Sequence, residues 1–433
     1  MVRSIITIII IVLIFGFGSG NAFGELQIGQ NGLTVNGFIE NDFGLKLGHD
    51  ITKRDEFNFF EQRLQLKTKT YPEWNSLLEQ WMAKIEAKAD FTIDEYYNAR
   101  TNVDLRVLSL GIAPADWLDL KLGRQVFTWG TGDYLFINDL FPKDYESFYI
   151  GREDEYLKKP NDGIKASFYA DTLNADLILI PVFEPNTVFD GQRLSFFDSF
   201  QGGIAGTNSD RHIIAPAKTA ENAEYAFRTY RNFESYETAL YFFRGHYPSP
   251  RGYLNEMNRE LFYPRLDVYG LSLRGPGLGG IVNAETGYYN SRQDEAGDNR
   301  LIENPMFKFL IGYSKDLGND LSLGLQYLFE QTLEYDNYSK ALLPADFVWD
   351  EYRHLNTLRL TKLYKSQTIR ANLFVFFSPS DLDGYVRPSI DYDLSDVLKL
   401  TLGANLPWGE DVHTEFGQTE HNKNIYTRVR YSF

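Results

Sequence analysis

The sequence predicts an all-β chain, a closed antiparallel transmembrane β-barrel of about 18 strands with short periplasmic turns and long external loops. Three observations lead there. Aromatic residues make up 15% of the 433 residues, with 28 Tyr and 33 Phe, while only 43% are hydrophobic and mean hydropathy is −0.34. Barrels combine these traits because only alternate strand residues meet lipid and aromatic girdles mark both interfaces. Period-two alternation then recurs along the chain, broken by turn residues. Finally, the last ten residues, Asn424–Phe433 (NIYTRVRYSF), form an amphipathic segment ending on an aromatic residue, a form resembling the sorting signal of outer-membrane barrels.

Met1–Gly24 reads as a cleavable leader. Arg3 supplies positive charge, Ile5–Phe15 is an apolar run broken only by Thr7, and Ala22 and Gly24 suit the −3 and −1 cleavage positions. The run is short for a membrane helix of about 20 residues, so Glu25 is the expected mature N-terminus and 25–433 the barrel. Strands are expected near 33–47, 57–68, 81–92, 104–113, 118–129, 162–170, 174–183, 223–231, 236–245, 265–274, 280–290, 306–314, 320–331, 353–363, 368–378, 385–393, 397–407 and 424–433. In the third, Trp81, Ala83, Ile85, Ala87, Ala89 and Phe91 share one face, and Lys84, Glu86, Lys88 and Asp90 the other. Short connections such as Asp171–Leu173 and Leu394–Asp396 alternate with long ones such as Gly130–Asn161 and Glu184–Asn222, which fixes the topology and puts both termini in the periplasm. No break marks a separate soluble domain.

Eighteen strands enclose an aqueous channel. The face opposite the lipid-type residues is then the lumen. Its expected basic lining comprises Arg63, Lys84, Lys88, Lys121, Arg228, Arg359, Arg370, Arg387, Lys399, Arg428 and Arg430, and the same reading assigns Arg244, Arg265 and Asp267 inward. Bases outnumber acids there, although the chain as a whole carries a formal charge of −16, so the acidic excess belongs to loops. Arg359, Arg370, Arg387, Lys399, Arg428 and Arg430 fall on the last five strands, where Asp391 is the only assigned acid, and form one cationic side that biases passage towards anions. Pairing with acids elsewhere would make these bases structural instead. The third external connection, 130–161, is too long for a simple cap. Leu135, Phe136, Ile137, Leu140 and Phe141 need burial, so it is expected to fold into the lumen as a constriction loop carrying Asp133, Asp139 and Asp144.

Other functions lose support. The acidic balance argues against nucleic-acid binding. With 0 Cys there is no thiolate metal or haem chemistry. The six histidines lie in or beside external connections and none has the serine spacing of a barrel phospholipase, so neither enzyme activity nor a cofactor is expected. Asp133, Asp144, Glu153, Asp154 and Glu155 lack the EF-hand spacing, and no metal is expected. A plugged, energy-coupled transporter needs about 22 strands.

Within Leu120–Pro142 (LKLGRQVFTWGTGDYLFINDLFP), a GRQ-x3-WG-x2-D core over Gly123–Asp133, followed by Asp139 and Pro142, resembles a strand-and-loop motif of porin-like outer-membrane proteins, the alginate-export type of barrel among them. The resemblance implies eighteen strands and a passive conduit; for the alginate type it implies an arginine-rich path for an anionic polysaccharide. The expected function is diffusion of small hydrophilic, anion-leaning solutes through an outer-membrane channel, with outer-membrane lipid as partner. A barrel sleeving an electron-transfer partner and a polysaccharide export conduit are the alternatives. A homo-oligomer is compatible with this size class, although no oligomer-specific feature is legible.

Overall fold

The computed structural model describes residues 26–28, 33–48, 57–72, 75–97, 100–344 and 346–433; the expected leader lies outside them. Eighteen strands close into one antiparallel barrel. They are β1 Leu33–Lys46, β2 Phe57–Thr70, β3 Lys84–Asp94, β4 Arg100–Ala115, β5 Leu118–Gln125, β6 Asn161–Phe168, β7 Asn174–Ile180, β8 Glu224–Phe233 and β9 Tyr236–His246, then β10 Arg265–Gly277, β11 Gly280–Ser291, β12 Met306–Asp316, β13 Leu321–Thr332, β14 Tyr352–Tyr364, β15 Ile369–Ser378, β16 Asp383–Asp393, β17 Leu398–Gly409 and β18 Asn424–Ser432. Each pairs with its sequence neighbours, and β18 closes the ring on β1 from Phe38↔Ser432 to Lys46↔Asn424. A short strand, Leu26–Ile28, adds to β1.

Turns on the periplasmic side are tight because residues adopt left-handed backbone there: Leu278 and Gly279 sit at φ 55° and 72°, the geometry that a two-residue hairpin requires. One connection on that side is longer. Asn75 caps the helix Ser76–Gln80 by accepting from Leu77 and Leu78, and Trp81 ends it, so β3 starts at Lys84 rather than at Trp81. A side-chain cap at the helix start outweighs alternation that the sequence extends three residues too far.

Leu108, Leu240, Leu271 and Leu402 are each about half exposed and form part of the outward apolar band, that of an outer-membrane β-barrel. The buried core lies inside the barrel. Phe59, Ile178, Ile180, Val268, Leu310 and Phe376 point inward and are covered by the loop 126–160. A bulge breaks period two in β4: Lys88 pairs with Val107 and Ala89 with Leu105, leaving Arg106 as the extra residue.

Closure depends on a close approach. Phe433 and Gly37 exchange backbone hydrogen bonds of 2.8 and 2.9 Å, and a Cβ on Gly37 would sit 2.0 Å from the Gln65 carbonyl oxygen. Gly37→Val should therefore destabilise the barrel by about 1–3 kcal/mol, the usual scale of overpacking. It should also lower the midpoint of urea unfolding measured by the gel shift between folded and heat-denatured barrel; an unchanged midpoint would show that the seam tolerates a side chain there.

Candidate functional site

The loop 126–160 folds into the lumen and crosses it. It leaves β5 through Gly130, at φ 82°, and Gly132, where a Cβ would lie 2.0 Å from the Leu135 carbonyl oxygen. Leu135, Ile137, Leu140 and Phe141 are buried against the inward wall, and Phe136 packs on them partly exposed. The segment is too apolar to remain in water, and the barrel interior is the surface within reach.

Glu285 on β11 anchors the near end. Its buried carboxylate accepts from the Thr131 N–H (2.7 Å), the Thr131 hydroxyl (3.0 Å), the Asn138 N–H (2.8 Å) and the Asn138 amide (2.9 Å). The helix Tyr145–Ile150 follows, capped by Asp144 through the Ser147 N–H at 3.0 Å and ended by Gly151 at φ 89°. Tyr149 stacks on Tyr385 at 4.9 Å between ring centres, and Asn424 donates to the Tyr149 carbonyl at 3.0 Å. At the far end Arg152 pairs with Glu61 at 2.5 Å, Glu153 with Arg428 at 2.9 Å and Glu155 with Lys88 at 2.5 Å. Tyr156 lies between the guanidinium groups of Arg63 and Arg106, at 4.0 and 4.7 Å from its ring centre. The Asp133 N–H donates to Gln326 on β13 at 3.0 Å, so the loop spans from β11 and β13 to β2, β3 and β18.

Register puts all eleven expected basic residues on the inward face, but their surroundings divide them. Arg63 and Arg428 are sealed, at 5% and 3% exposure, with Arg63 between Glu61 and Asp90 and Arg428 against Asp42 at 2.8 Å. Arg430 binds Glu40 at 2.5 Å, Lys84 and Lys121 share Glu86 at 2.6 and 3.3 Å, and Arg228 binds Glu237 at 2.7 Å. Arg359 meets Asp133 at 2.5 Å and Arg387 meets Asp154 at 3.4 Å. Among the described residues, Arg370 and Lys399 have no acid within 4 Å. The expectation of an uncompensated six-residue side is therefore corrected: β1 and the inward loop supply acids that a comparison within five strands leaves out.

Arg244, Arg265 and Asp267 face outward at the external rim. Arg244 holds Asp267 with two hydrogen bonds of 3.0 and 2.7 Å, and Leu271 on the same face of β10 is exposed. The inward face of β10 carries Leu266 and Val268 under the loop, so it looks as apolar as the lipid face and the sequence misassigns it. That error hid Arg274, an inward and exposed base. Arg353 was also missed, although period two from Arg359 could have found it; it holds Glu330, Asp381 and Glu415 at 2.6–2.7 Å. Arg106 was hidden by the bulge.

Of the three loop acids, Asp133 alone borders open space. Asp139 is buried against Lys143 at 2.8 Å, and Asp144 caps the helix. A cavity of about 570 Å³ lies on the periplasmic side of the loop, bounded by Thr131, Asp133, Arg274, Asn283, Gln326 and Arg359 among others. Burial raises the Asp133 carboxyl above its ordinary range, with Arg359 pulling the other way.

Glu285→Ala removes the carboxylate that gathers both ends of 131–138. The loop should detach locally at a cost of about 2–5 kcal/mol, since two backbone N–H groups lose charged acceptors. Cleavage within 126–160 by added protease should accelerate, and single-channel conductance in planar bilayers should rise; no change in either would show that Glu285 does not hold the loop.

No family description matches the chain, and no curated protein sequence matches it. Solved structures do. Acinetobacter baumannii OccAB3 superposes with a TM-score of 0.54 at 11% identity, over 93% of this chain and 99% of that one. Acinetobacter baumannii OccAB4 gives 0.53 at 11% identity, over 95% and 100%. The chain is similar to these proteins in fold.

Proposed function

We propose that this barrel is an outer-membrane channel for passive diffusion of small hydrophilic solutes, narrowed by the inward loop and biased towards anions. The observation that carries the reading is the set of bases Lys67, Arg274, Arg370 and Lys399 on the inward wall, none with an acid within 4 Å among the described residues. Fixed cations on a water-filled wall lower the energy of a passing anion, and salt screens them within about 10 Å at 0.1 M. A polyanion conduit of the alginate-export type would use the same wall, but a loop tied to both sides of the lumen favours small solutes. The same loop fills space that a sleeved partner would need. Delivery to the outer membrane through a leader over Met1–Gly24 belongs to this reading, and N-terminal sequencing of the membrane-inserted protein should begin at Glu25.

Reversal potentials across planar bilayers under a KCl gradient test the bias. Wild type should favour Cl⁻ by about twofold or more at low salt, less in concentrated salt, and Arg274→Glu, Arg370→Glu and Lys399→Glu combined should reverse the preference. A wild-type preference for K⁺, or an indifferent triple variant, would sink the anion reading.

Acid adds a second test. Because the Asp133 carboxyl is raised, it takes up a proton at higher pH than an ordinary carboxylate as pH falls, releasing Arg359 into the passage. Anion preference should therefore grow on acidification, and Asp133→Asn should show the acid value already at neutral pH. An identical pH profile in the two proteins would remove Asp133 from the passage.

A further inference from the structure

A cationic patch stands on the outside of the barrel, apart from the passage. Arg244 on β9 and Asp267 on β10 are partners in register, as are His246 and Arg265 beyond them, and Asn290 on β11 follows Asp267. Arg292 carries the outward face of β11 into the next loop, with its Nε 3.8 Å from Asp267. Asp267 is buried between Arg244 and Arg292, so one carboxylate serves two guanidinium groups. Arg265 meets Glu221 at 2.8 Å, but that acid is 75% exposed, and an exposed pair of this kind is weak.

Height fixes what these bases meet. Phe242, Tyr269 and Tyr288 pack across β9–β11 with ring centres 5.3 and 6.5 Å apart, and such rings mark the membrane interface. Arg244 and Asp267 stand two residues further out, about 7 Å along the strand, and Arg265 and Arg292 further still. The patch therefore lies at the headgroups of the outer leaflet. Acids outnumber bases in the external connections, and here the outward face reverses that sign.

A pocket of about 220 Å³ adjoins the bases. Ile214, Leu254, Phe262 and Tyr263 give it apolar walls, and Arg265 and His246 line it as well. His246 is buried, and its Nδ1 meets no hydrogen-bond partner among the described residues; the Glu224 carboxylate stands 3.9 Å off. A buried ring nitrogen without a partner costs free energy that a bound hydroxyl recovers.

We propose that this patch binds the phosphorylated glycolipid of the outer leaflet, its phosphate on Arg244, Arg265 and Arg292 and the adjoining sugar in the pocket beside His246. Charge decides the occupant. Guanidinium groups hold phosphate through paired hydrogen bonds, and a sugar offers apolar C–H faces to Phe262 and Tyr263 and a hydroxyl to His246. An acyl chain leaves the three bases unmatched, and free phosphate leaves the pocket empty.

Rough lipopolysaccharide titrated onto the immobilised barrel, with binding read by surface plasmon resonance, tests this. Wild type should bind, and enzymatic removal of the lipid phosphates should weaken binding at least tenfold. Arg265→Ala with Arg292→Ala should weaken it equally, while the gel shift of a folded barrel and the single-channel conductance persist. Lys340→Ala, an exposed base on another external loop, should leave binding unchanged. Absence of binding by wild type, equal binding of the dephosphorylated lipid, full affinity in the double variant or a tenfold loss from Lys340→Ala overturns the proposal. Binding as tight to phosphatidylglycerol or to inorganic phosphate overturns it too, since the sugar then contributes nothing.

Discussion

The buried pairing of Arg428 with Glu40, Asp42 and Glu153 is the constraint on which the rest of this structure depends. Arg428 belongs to the last strand, Glu40 and Asp42 to the first, and Glu153 to the loop that crosses the lumen. One guanidinium therefore ties barrel closure to loop placement. A charge buried this deeply survives only with complete partners, because losing one leaves an uncompensated ion away from water. Arg63 repeats the arrangement one strand on, between Glu61 and Asp90, while Arg152 brings the loop to Glu61 from above. The seam is thus heavily paired.

This arrangement divides the interior. Beneath the loop the inward wall is apolar, from Phe59 through Ile178 and Leu310 to Phe376, and it buries the loop's own hydrophobic residues. On the periplasmic side the wall is polar, with a cavity reaching Arg274 and Arg359. A lumen this wide would otherwise hold water throughout. Folding the loop inward exchanges that water for packed side chains and leaves the cationic half open.

Charge is also sorted by height. The external connections 181–223, 247–264, 292–305, 333–351, 379–382 and 410–423 hold 21 acids and 9 bases, whereas on the inward periplasmic wall Lys67, Arg274, Arg370 and Lys399 have no acid within 4 Å among the described residues. The overall charge of −16 therefore says little about what a solute meets inside. An acidic rim and a basic interior act on a passing ion in opposite directions, and the interior acts at shorter range, where screening is weakest.

By itself the sequence determined strand number, order and closure, because alternation, turn residues and the terminal aromatic segment are local signals with one consistent solution. It also put Arg359, Arg370, Arg387, Lys399, Arg428 and Arg430 on one face, since period two needs only neighbours along the chain. Tertiary structure decided which of those bases are spoken for. Glu40 lies 390 residues from Arg430 in sequence and within hydrogen-bond distance in space, a relation no local pattern carries. It decided the inward face of β10 as well, because residues covered by a loop are as apolar as residues covered by lipid. Where two nonpolar surroundings compete for the two faces of a strand, alternation marks the strand and only the fold says which side is in.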